Sequence, residues 1–309
     1  MKRLFSLILV IALFALLLTG CASFYKSDYA LMIGVTTSQA GAEVSNTVAA
    51  IVIDKDYKIV SCRIDSIAVK ASLTDEGKID TSKTYASKVE LGDAYGMLTN
   101  SPYYGSSLAE WDDQVKAFEK YVVGMTKDEV NAIAVNGGYP TDEALRAGCT
   151  IAVSDFIKAI NKAFEGGYMV GLQTKGDITL GVSVLADVAD KGTGVASYTA
   201  DFSAVAIVDG KILAAVIDSK EVTCKYSSAS DFGKITDKGT KLEQGDSYGM
   251  VAYGNAIGEW YEQAQAFADT AIGKSVSEAA SLSTEGVAGC TMYVGGYKMA
   301  LVKAAENAR

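Results

Sequence analysis

The chain has 309 residues, a net charge of −9, five cysteines, two prolines and no histidine. The missing histidine excludes a Ser-His triad, a His-ligated zinc or haem site and the commonest general base. The acidic balance, with no basic stripe anywhere, argues against nucleic acid as a partner, because that partner rewards clustered Lys and Arg.

The first predicted element is a targeting segment. Lys2 and Arg3 precede an apolar run from Leu4 to Leu18, and Leu18-Thr19-Gly20-Cys21 matches a lipoprotein signal. The reading is a signal peptide over 1–20 and a lipidated Cys21 as the new N-terminus, with a tether over 21–27. The expected location is outside the cytoplasmic membrane, held to the bacterial cell surface by buried acyl methylenes. Cys62, Cys149, Cys224 and Cys290 remain, with no CxxC spacing for a metal. Free, buried thiols are favoured over a disulfide framework.

Strands are expected at Leu31–Val35, Thr47–Asp54 and Ile59–Ile67, forming an antiparallel hairpin or meander with imperfect alternation along the third. After Gly92-Asp93-Ala94-Tyr95-Gly96-Met97, a helix stripe runs through Leu108, Trp111, Val115, Phe118 and Val122 and stops at Gly124. Thr126 to Glu129 is a capping box opening a further helix. A looser stretch from Asn136 to Leu145 reaches Ala147-Gly148-Cys149-Thr150, which leads straight into a helix pattern over Ile151–Ala163.

Then the plan restarts. Ile178–Val182 mirrors the first strand, and Ala204–Val208, Asp209-Gly210 and Lys211–Asp218 mirror the hairpin. Ile64-Asp65-Ser66 returns as Ile217-Asp218-Ser219, and the Tyr95 segment returns around Tyr248. Glu110-Trp111 with Gln114 and Phe118 returns as Glu259-Trp260 with Gln263 and Phe267. Ala288-Gly289-Cys290-Thr291 closes the series before a helix pattern over Met292–Ala304. The offset between copies falls from 153 at the tyrosines to 149 at the tryptophans and 141 at the threonines. Those deletions belong in loops, which tolerate them. The expected fold is therefore α+β, with two tandem repeats over 28–165 and 172–309, each an antiparallel sheet packed with helices.

Three features recur and are candidates for a site. Gly148-Cys149-Thr150 and Gly289-Cys290-Thr291 each place a Gly-small-Thr turn at an expected helix start, where unpaired N–H groups and the helix dipole favour an oxyanion or phosphate. The alternative is a plain tight turn with a Thr N-cap. Tyr95 and Tyr248 lie between small residues and are positioned to lie flat against a ring, or to mark a turn. Trp111 and Trp260 read as core. Gln114 and Gln263 need polar partners if buried. No pair of carboxylates stands out as an acid/base couple, and no catalytic residue is assigned.

The order of strand, hairpin with Val208-Asp209-Gly210-Lys211-Ile212, helix, and small-Gly-small-Thr resembles the FMN-binding domain found in the sodium-pumping NADH:quinone reductase and in exported lipoproteins with tandem copies. The resemblance implies FMN esterified through its phosphate to Thr by a flavin transferase. Here the acceptor position falls on Thr291 and Thr150, with Glu285 and Ala144 at the family's acidic position and Cys290 and Cys149 in place of its alanine. By that comparison Thr291 is the better acceptor, and Tyr95 or Tyr248 would cover the ring. The expected function is flavin-linked electron transfer by a membrane-anchored lipoprotein with a redox partner, or a non-catalytic ligand-binding or structural lipoprotein that has lost flavin.

Overall fold

The structure, a computed structural model, describes residues 27–98, 108–166 and 168–309. The expected signal peptide, Cys21 and most of the tether lie outside the described residues. Among the described residues no helix is long and apolar enough to cross a membrane.

The fold is α+β. β1 (Tyr29–Ala40), β2 (Glu43–Asp54) and β3 (Ile59–Lys70) form an antiparallel meander, and β6 (Val170–Leu172) pairs antiparallel with β1 on its other edge. β7 (Thr179–Asp190), β8 (Val195–Val208) and β9 (Lys211–Ser228) form a second meander, with β10 (Asp231–Phe232) added beside β9. Both meanders carry a register shift at the same place, between Val52 and Ile53 and between Ala206 and Ile207. The turn before β9 has Asp209 and Gly210 both at positive φ, which a two-residue hairpin requires and which glycine adopts without strain.

The two sheets pack face to face. Leu31, Ile33, Val35, Val48 and Val52 of the first meet Leu180, Val182, Val184, Phe202 and Ala204 of the second. Helices cover both outer faces. On the first sheet lie α2 (Trp111–Val122) and α5 (Ser154–Glu165), bringing Trp111, Val115, Phe118, Phe156 and Ile160 against Met32, Ile51 and Ile64. On the second lie α8 (Trp260–Asp269) and α10 (Gly295–Glu306), bringing Trp260, Phe267 and Leu301 against Val205, Ile212 and Ile217. The layer order is helices, sheet, sheet, helices. This explains why β3 alternates poorly in sequence: a strand covered on both faces needs apolar residues on both, so the polar half of the pattern is lost.

Short elements connect these layers. α1 (Lys88–Leu91) and α6 (Lys241–Gln244) are single turns with complete capping boxes, Ser87 with Glu90 and Thr240 with Glu243. Each runs into a 3₁₀ turn, Gly92–Tyr95 or Gly245–Tyr248, which ends at a left-handed glycine, Gly96 or Gly249. α7 (Met250–Gly254) follows the second of these. α3 (Lys127–Asn131) and α9 (Val276–Ala279) carry the capping boxes of Thr126 and Ser275. The stretch expected to be loose holds a small hairpin, β4 (Val135–Asn136) with β5 (Tyr139–Pro140), and α4 (Glu143–Arg146).

Two glycines set how closely helix and sheet approach. At Gly34 a Cβ would fall on the Ala159 carbonyl oxygen of α5, and at Gly181 on the Ala304 carbonyl oxygen of α10. Ion pairs then cross between the two halves reciprocally. Lys162 of α5 reaches Glu243 of the second half at 2.6 Å, and Lys303 of α10 pairs with Glu90 of the first.

Candidate functional site

Neither Gly-Cys-Thr turn opens the helix that follows it. α5 begins at Ser154 and α10 at Gly295, with Val153 and Val294 as their N-caps. The expected helix starts directly after Thr150 and Thr291 are therefore corrected: each Thr lies four residues before the helix and caps nothing. Its partner is a glutamine. The Thr150 N–H donates to Gln114 Oε1 at 2.8 Å and its hydroxyl to the same oxygen at 3.0 Å. The Thr291 N–H and hydroxyl donate to Gln263 Oε1 at 2.8 and 3.1 Å. Each glutamine is fully buried and is held from flipping by its Nε2, which donates at 2.8 Å to the carbonyl of Ala109 or Gly258. This answers what the recurring amide does: it locks the turn to α2 or α8.

Gly148 and Gly289 let the turn lie on Ala117 and Ala266. Cys149 and Cys290 point inward and are buried, and burial pushes both thiols up, Cys149 to about 11. All four described cysteines are free. Thr150 and Thr291 themselves are solvent-exposed. The glutamine engages the N–H and hydroxyl of each Thr, and the helix N–H groups lie a turn further on, so neither hydroxyl is ringed by a helix N-terminus.

Tyr95 and Tyr248 are placed elsewhere, in a stack that the sequence did not reveal. The Lys88 ammonium lies 5.0 Å from the ring centres of both Tyr95 and Trp111. Lys241 lies 5.2 Å from those of Tyr248 and Trp260. A cation between two ring faces is attracted by both quadrupoles. Below the stack, Trp111 meets Phe156 edge-on at 6.0 Å, and Trp260 meets Tyr297 edge-on at 5.7 Å.

The chain was compared with models of known families, with characterised proteins and with solved structures. It matches none of them.

The two stacks differ in polarity. Tyr297 adds a hydroxyl where the first half has Phe156, and that oxygen accepts from Trp260 Nε1 at 3.2 Å and Lys241 Nζ at 3.3 Å. Burial works to lower the Lys241 pKa, yet the phenols of Tyr297 and Tyr248 and the carboxylate of Asp201 hold it above its ordinary value. Lys241 and Tyr248 border a cavity of about 600 Å³ that also touches Glu221, Lys238, Gln244 and Tyr253. Thr291 is not part of its wall.

Beneath each stack sits a buried carboxylate. Asp65 Oδ1 accepts from the N–H of Ser66 and Val89 at 2.7 and 3.1 Å. Asp218 Oδ1 accepts from Ser219 and Leu242 at the same distances. Each thus ties its strand to the single-turn helix that carries the stacked lysine. Burial pushes both carboxyls up to about 7, against the pull of those N–H groups and of the Ser87 or Thr240 hydroxyl. Glu110 and Glu259 are helix N-caps whose carboxylates take the backbone N–H groups of Met97 and Leu98, and of Met250 and Val251, at 2.8 to 3.1 Å. The missed signal was the recurrence of Ser/Thr-Lys-x-Glu, Ser87 to Glu90 and Thr240 to Glu243, just ahead of each Gly-Asp-x-Tyr-Gly.

Proposed function

We propose that the protein is a lipid-anchored extracytoplasmic binding protein made of two tandem copies of one α+β module, 28–165 and 172–309, with the ligand held by the second. The lysine stack carries this reading. Lys241 lies between two aromatic rings at the edge of a cavity whose size falls in the range of small-molecule sites. The added hydroxyl of Tyr297 makes the second stack a polar site, while Phe156 leaves the first apolar.

The duplication is supported by the matched locks. Gln114 with Thr150 and Gln263 with Thr291, Asp65 with Val89 and Asp218 with Leu242, and the reciprocal Lys–Glu pairs repeat one design. The lipobox at Cys21 supports the anchor, and the acidic surface suits an exported chain that meets no nucleic acid.

The test is ligand titration of the full-length lipidated protein in detergent, with Trp fluorescence as the readout and FMN included in a small-molecule panel. The expected outcome is non-covalent binding that Tyr248→Ala weakens by about tenfold or more. A parallel expression with a flavin transferase is expected to give no fluorescent band after denaturing electrophoresis. A band that survives denaturation and disappears in Thr291→Ala would overturn this reading in favour of a flavoprotein for extracytoplasmic electron transfer.

A further inference from the structure

The cavity beside Lys241 has a wall unlike that of an apolar ligand site. Besides the two tyrosines, its lining side chains are hydroxyl, amide or charged groups, among them Gln244, Ser247, Lys238 and Glu221. Tyr253 stands at this cavity with 90% of its surface exposed, its ring backed by Gly249, where a Cβ would strike it. A large ring held on one side by a glycine and open on the other is a platform awaiting a partner.

Charge adds a second constraint. Among the described residues neither Lys238 nor Lys241 has a carboxylate within ion-pair distance, and the cavity's carboxylate, Glu221, is engaged by Lys191 at 3.2 Å and by the Ser197 hydroxyl. In a chain of net charge −9, this cavity presents the exposed Lys238 and, beside it, Lys241, on which the carboxylates of Asp201 and Glu221 act only from beyond ion-pair distance. The wall supplies ring faces with hydroxyl, amide and ammonium groups around them. A sugar ring meets those terms: its polarised C–H face lies on an aromatic face, and its rim of hydroxyls pairs with amides and hydroxyls.

Resting on the binding reading above, we propose that this cavity takes an acidic saccharide. The carboxylate lies toward Lys238 and Lys241, one sugar face lies on Tyr253, and ring hydroxyls pair with Gln244 and Ser247. Lys241 belongs to the folded stack, so the informative variants are the exposed residues Tyr253 and Lys238.

The experiment is isothermal titration of the full-length lipidated protein in detergent with trigalacturonate and, separately, with neutral maltotriose. Trigalacturonate is expected to bind at least about tenfold more tightly than maltotriose, with the difference shrinking as salt is raised. Tyr253→Ala is expected to weaken it about tenfold, and Lys238→Gln to weaken it severalfold and flatten the salt dependence. Equal binding of the two sugars, no binding of trigalacturonate, or binding indifferent to both variants overturns the proposal. A thermal-shift panel of non-saccharide acids separates the two levels. A ligand from that panel whose shift disappears in Tyr253→Ala overturns the saccharide class and leaves the binding reading standing. Shifts indifferent to both Tyr253→Ala and Tyr248→Ala, with no sugar bound, overturn both.

Discussion

Asp218 and Asp65 bring a pH dependence into the fold. An ordinary Asp ionises near 3.8, whereas burial holds these two protonated until about 7. The folded state therefore keeps a proton that the unfolded state has already lost. Stability from this source is complete at acid pH, falls as pH rises from about 4 to about 7, and is flat beyond. Asp218→Asn keeps an oxygen for the Ser219 and Leu242 N–H groups and never ionises. It is expected to be more stable than the parent at pH 8, by on the order of a few kcal/mol, and close to it near pH 4. Denaturant melts at both pH values check this. A stability difference that is the same at both would show that the Asp218 carboxyl ionises at its ordinary value in the fold. Gln263 makes the contrasting case. Its role as a turn lock was half legible, since a buried amide on an apolar helix must find partners, but the partner's identity depends on a contact 28 residues away.

Among the elements, Gly34 lets β1 lie directly on α5 and Gly181 lets β7 lie directly on α10. Gly181→Ala is expected to cost about 1–3 kcal/mol or more, because the new methyl meets a helix carbonyl that has no room to move. Gly210→Ala, at a positive-φ turn with open space around it, isolates the backbone-strain contribution alone. Comparing the two midpoints in urea separates overpacking from strain. Most elements were legible in the sequence. The helix stripes of Trp111 and Trp260, the meanders and the capping boxes stand where their patterns put them, except that Leu108, expected in the first stripe, lies before the Glu110 cap and is exposed. The strands run longer than expected, β1 from Tyr29 to Ala40 and not only through Leu31–Val35, because its outer end, Thr36 to Gln39, is an unbroken polar run with no apolar alternation to mark it. The helices after Thr150 and Thr291 begin later, because the glutamine lock holds those residues outside the helix. The lysine stacks were not legible, since a cation–ring contact leaves no periodicity of its own.

At the scale of the whole molecule, each sheet has one face built to meet the other. Expressed alone, residues 28–166 would expose Leu31, Val48 and Val52, and residues 168–309 would expose Val182, Val184 and Phe202. An apolar face of that kind drives association. The separate halves are expected to be insoluble or self-associated on their own and to form a one-to-one complex when co-expressed, which light scattering after size exclusion checks. A half that stays monomeric and folded would show that the sheet–sheet core is dispensable. Arg63 adds a polar tie at the same junction, donating to the Leu180 carbonyl at 3.0 Å while paired with buried Glu119 at 2.8 Å. Glu119 is shared, with Arg309 pairing at 3.0 Å on the same oxygen, so removing Glu119 would leave two arginines without their carboxylate.

The reciprocal ion pairs give the second half's stack an anchor in the first. Lys162 grips Glu243, the residue that closes the capping box around Lys241. Lys162 touches no part of the cavity wall, and on the binding proposal above it is a latch: Lys162→Ala is expected to speed ligand departure and leave the rate of arrival unchanged, which stopped-flow mixing checks.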